Sequence, residues 1–80
     1  MFDTGLNTPI KVKTHEEAGS SIHLSKQHLA QVKQVLEENK IRHWLDHIGV
    51  KLGDGPMHVW LYLWYKKDAE RAQKALDEIP

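Results

Sequence analysis

The run Met57-His58-Val59-Trp60-Leu61-Tyr62-Leu63-Trp64-Tyr65 constrains this chain more than any other stretch. It is rich in aromatic and branched side chains and follows a Gly-Asp-Gly-Pro turn signal at 53–56, so it reads as the central strand of a sheet. Its most apolar part, Val59 to Tyr65, is too short to span a bilayer. Side chains alternate across a strand. Val59, Leu61 and Leu63 therefore share one face, suited to packing beneath helices, while His58, Trp60, Tyr62 and Trp64 share the other.

The remaining chain supplies the other elements. Residues 1–8 are polar and read as a flexible N-terminal arm. Pro9 opens a short strand in which Ile10 and Val12 alternate with lysines, 14–20 read as a loop, and Ser21 to Leu24 read as a second short strand. Ser25 is placed as the N-cap of a helix from Lys26 to Asn39, with Leu29, Val32, Val35 and Leu36 on one stripe and Asn39 left-handed at its end. A strand over 41–52 carries a bulge at Gly49, and Asp68 caps a second helix through Glu78 with Ala69, Ala72, Leu76 and Ile79 on one face. The order predicts a single α+β domain over 9–80 of β-α-β-β-α type. It is a split β-α-β arrangement, as in half of a ferredoxin-like fold, with both helices on one face. A right-handed crossover is expected to lay the first strand parallel beside Met57–Tyr65.

With both helices on one side, the ring-bearing face of the central strand is left open. A four-residue turn at 53–56 sets Ile48 opposite Leu61 and puts Lys51, His47, Leu45 and His43 on the open face, whereas a bulge at Gly49 exchanges the faces before it. The candidate interaction face is thus His58, Trp60, Tyr62 and Trp64, joined by His47 and Leu45. Large aromatics carry roughly 150–250 Å² each, and an exposed patch of that size marks an interaction surface on most monomers. A second copy, a protein partner or the chain's own arm are the candidate covers. A stacking platform for a small molecule or single-stranded nucleic acid is the alternative.

Composition narrows the chemistry. Eleven basic and eleven acidic residues cancel to zero net charge, which disfavours charge-driven nucleic-acid binding. Cysteine is absent, and the start of the chain lacks the basic and apolar blocks of a signal peptide, so a cytoplasmic protein that neither enters nor crosses a membrane is expected. Six histidines are the compositional oddity. His43 and His47 lie on one strand roughly 13 Å apart, too far to share a metal ion, and no carboxylate completes a site for His47 with His58. No Ser-centred elbow, phosphate loop or paired-carboxylate constellation is present. The reading has no catalytic residues, no metal and no cofactor.

The run LSKQHLAQVKQVLEENKIRHWLDHIGVKLGDGP and the closing KKDAERAQKALDEI resemble small bacterial proteins of unassigned role, in which a similar helix leads to a Tyr-Trp or His-Trp strand and a Gly-Pro turn. Residues 21–79 are similar to prokaryotic domains of β-α-β-β-α type associated with signal transduction, and to the cytosolic N-terminal domain of rhomboid proteases. The resemblance implies the fold and lends no catalytic residues. The expected role is a non-enzymatic interaction or regulatory module acting as a homodimer or on a protein partner. An immunity or antitoxin-like protein is a further alternative.

Overall fold

A computed structural model describes residues 1–15, 19–48, 55 and 57–79. Strands β1 (Phe2–Asp3), β2 (Thr8–Pro9), β3 (Val12–His15) and β4 (Gly19–Ser25) precede helix α1 (Leu29–Glu38). Strands β5 (His43–Ile48) and β6 (His58–Leu63) and helix α2 (Ala69–Asp77) follow. A single 3₁₀ turn leads into each helix, at Lys26–His28 and Lys66–Asp68.

Strands β3 to β6 form one sheet in the order β3-β4-β6-β5, every neighbouring pair antiparallel. The α+β architecture and the β-α-β-β-α order are as expected, with β4-α1-β5 as the crossover unit and β6 inserted between its two strands. The first strand, however, does not lie parallel beside β6. It pairs with β4 as an edge hairpin, and β4 takes the place next to β6 in antiparallel sense.

Both helices cover the same face. Ile22 and Leu24 of β4, Val59, Leu61 and Leu63 of β6, Val32 and Leu36 of α1, and Ala72 and Leu76 of α2 form one buried cluster. Alternation does the sorting: in β6 each residue of the helix-facing set is buried, and His58, Trp60 and Tyr62 are half-buried.

Several expected caps work differently. The Ser25 side chain makes no capping bond to the helix; its hydroxyl donates to Asp3 Oδ1 at 2.7 Å. Asp68 likewise caps nothing and accepts from Arg71 at 2.9 Å. Asn39 keeps a negative φ and donates its amide to the Val35 carbonyl, while Lys40, at φ 56°, takes the left-handed position.

Where the composition of residues 1–8 predicts a loose arm, the structure has the β1–β2 hairpin, with Met1 and Asp3 buried. Asp3 is the reason. Its carboxylate accepts from the Ser25 N–H, the Ser25 hydroxyl and the Leu6 N–H. The chain passes so close to Ser25 that a Cβ on Gly5 would stand 2.7 Å from Ser25 Oγ. Burial opposes the charge on Asp3, but the Ser25 and Leu6 bonds and the nearby His28 outweigh it and hold its pKa below the ordinary value.

Candidate functional site

The open face is a grid set by register. Tyr62 of β6 lies opposite Ser21 of β4 and Trp44 of β5, and Trp60 lies opposite His23 and His47. Trp64 follows just beyond β6, its N–H donating to the Arg42 carbonyl at 2.9 Å. Lys13 of β3 continues the Tyr62 row by pairing with Ser21.

Of the six expected face residues, His58, Trp60, Tyr62 and Trp64 occupy the open face. His47 sits opposite Trp60 in backbone register. Leu45 does not belong there: it pairs with Leu61, on the helix side, and His43 likewise pairs with Leu63. The cause is a register shift between Leu45 and His47, and it sets Ile48 opposite Val59 rather than Leu61; the bulge expected at Gly49 falls, with Lys51, outside the described residues. The shift moves Trp44 onto the face instead. Its signal was in the sequence: Ile41, Leu45 and Ile48 stand four and three apart, and no uninterrupted strand puts all three on one side. His23 was the other residue missed, because the antiparallel β4–β6 pair brings it opposite Trp60.

The rings form two clusters. Trp44 stacks on Tyr62 with centroids 5.5 Å apart and meets Trp64 edge-on at 5.7 Å, and the Arg42 guanidinium lies 4.9 Å from the centre of the Trp64 ring. This corner faces water, with Trp44 43% and Trp64 56% exposed. The second cluster is His23, stacked on Trp60 at 4.6 Å and on His58 at 4.9 Å. The β1–β2 hairpin reaches the face at Ser25 and leaves the Trp44–Trp64 corner bare.

Nε2 of His23 and Nδ1 of His58 are 2.7 Å apart, so one ring donates to the other and a single proton lies between them. Among the described residues no third imidazole or carboxylate joins the pair as a metal-binding group. Burial, then the adjacent His58 and Lys13, lower the His23 pKa from its ordinary 6.5, and Asp3 acts weakly in the other direction. A base whose pKa falls on folding is bound by more protons in the unfolded chain. Its neutral form therefore leaves stability untouched above 6.5, and stability is lost as pH falls from there towards the folded value. The thermal midpoint should drop across that mildly acidic window, and His23→Gln should flatten the drop. An unchanged pH profile in the variant rejects His23 as its source.

Among the described residues no helix is long and apolar enough to cross a membrane. No protein-family model, curated protein or solved structure matches this chain.

Proposed function

We propose that the chain is a non-enzymatic recognition module whose working surface is the open, ring-bearing face of its sheet, engaging a protein surface: a second copy or another protein. The observation that carries this reading is the Trp44–Trp64 corner, two large indoles in contact with each other and half in water. Removing such rings from water against a partner is the usual source of binding energy at protein interfaces.

The ring geometry favours a protein over a nucleic acid. Trp44 already lies against Tyr62, His23 against Trp60, and the Arg42 guanidinium against Trp64, so one face of each of these rings is already occupied within the chain. Tracking a phosphate backbone takes a row of cations. Among the described residues of this face, Lys13 and Arg42 are the lysine and arginine available.

Trp44→Ala and Trp64→Ala should each weaken association by roughly 30-fold, the effect of losing an interface anchor of about 2 kcal/mol. Light scattering over a concentration series reads self-association. A photo-crosslinker at position 64 reads a protein partner through discrete adducts that Trp44→Ala abolishes. Association and adducts that survive both truncations would sink the reading.

A further inference from the structure

We propose that His23 and His58 form a two-imidazole site for one monovalent ion of the copper(I) class, held in line between His23 Nε2 and His58 Nδ1 over the face of Trp60. The site lies apart from the Trp44–Trp64 corner and stands or falls independently of the recognition reading.

The sheet makes the pair. His23 of β4 pairs with Trp60 of β6, and His58 stands two residues before Trp60 on the same face. The two histidines are therefore diagonal neighbours, with Cα atoms about 7–8 Å apart. Their side chains close that spacing to 2.7 Å between nitrogens. The ring planes are 16° from parallel and the ring centres 4.9 Å apart. Beyond the 2.7 Å gap, that separation leaves room for the two ring radii alone, so the rings meet at their edges and both nitrogens lie close to the line joining the centres. The lone pair of a ring nitrogen points outward in the ring plane, away from the centre. Once the shared proton leaves, the two lone pairs face each other.

That geometry selects the ion. Lone pairs aimed at one another meet an ion at 180°, the two-coordinate arrangement of copper(I) and silver(I). Zinc asks for four ligands at tetrahedral angles, and among the described residues no third imidazole or carboxylate stands by the pair. A metal–imidazole bond is about 2 Å long, so the nitrogens must part to about 4 Å. Both rings are half-buried, and rotation towards water opens the gap with the strands in place. The shared proton moves to the far nitrogen of the ring that carried it. Burial and the neighbouring His58 and Lys13 hold the His23 pKa below 6.5, so its ring is neutral at pH 7. Lys13 opposes a cation here, while Asp3, bound to Ser25 opposite His58, favours one.

Trp60 supplies the floor. Its ring centre lies 4.6 Å from that of His23 and 6.0 Å from that of His58, with planes 10° and 22° from parallel. The point midway between the two histidines is therefore above the indole, inside the roughly 6 Å over which an indole face attracts a cation.

The test titrates silver(I) nitrate, the redox-stable member of the class, into the full chain in chloride-free buffer, with calorimetry and nitrogen NMR of the imidazoles as readouts. One silver(I) should bind per chain, the His23 Nε2 and His58 Nδ1 resonances should shift together, and copper(I) kept reduced under nitrogen should compete. His23→Gln and His58→Gln, shown to be folded by circular dichroism, should each weaken binding by at least the roughly 100-fold that losing even an orienting partner costs a metal site. Trp60→Leu should weaken it about fivefold. Met57→Leu removes the thioether next in sequence to His58 and should change nothing. Silver(I) that binds the folded histidine variants as tightly as the wild type, depends on Met57, or moves neither nitrogen overturns the proposal. Zinc(II) bound as tightly as silver(I) rejects the in-line geometry, and an unchanged affinity in Trp60→Leu rejects the indole as part of the site.

Discussion

Leu61→Ala should cost the domain about 2–5 kcal/mol, the range for emptying a leucine site in a close-packed interior. Leu61 is fully buried at the centre of the sheet, between Ile22 of β4 and Leu45 of β5 in register, with both helices above that face. Backbone hydrogen bonds on both sides hold β6 in place and limit how far the hole can close. A domain of this size has a total stability of only about 4–12 kcal/mol, so the loss is a large share of it. Urea unfolding should show a lower midpoint with an unchanged slope. Tyr62→Ala, one residue along and on the other face, should cost clearly less because Tyr62 is only half-buried. Equal costs for the two variants would refute the assignment of faces.

Asp3→Ala should have the next largest effect, about 2–4 kcal/mol, because it strands several donors at once in a buried place. The Ser25 N–H, the Ser25 hydroxyl and the Leu6 N–H all lose their acceptor. The wild type should also weaken in acid, with a definite sign. The Asp3 pKa is depressed on folding, so its contribution is present above the ordinary carboxylate value of 3.8 and is lost as pH falls through the lower folded value. Asp3→Asn cannot titrate and should flatten that acid limb while leaving the His23 limb at higher pH in place. Thermal midpoints against pH in the two proteins separate the contributions. An acid limb equally steep in Asp3→Asn would show that other carboxylates produce it.

Much of the fold could be read from local signals. The alternation in β6 named the buried and open faces, and the apolar stripes at Val32–Leu36 and Ala72–Leu76 named the helices. Non-local decisions were harder. Whether a strand runs parallel or antiparallel to its neighbour is settled by which chain segment wins the place beside β6, and alternation within 21–24 is the same in either case. The hairpin at residues 1–9 escaped notice because one carboxylate, Asp3, holds it to Ser25, and polar composition conceals such a bond. On the face, one extra residue in β5 exchanged Leu45 for Trp44. His23 became visible only once β4 was known to lie antiparallel to β6.

The Gln73 contact with β3 has a consequence for how this sheet can grow. A sheet with two receptive edges adds copies in both directions and has no natural end, which is the route to fibres. Here the Val12 N–H of the β3 edge donates to the Gln73 side chain of α2, so a strand added at that position finds the donor already taken. Gln73→Ala would free that N–H. One carboxamide on α2 thus shields part of an edge that is otherwise open to strand addition.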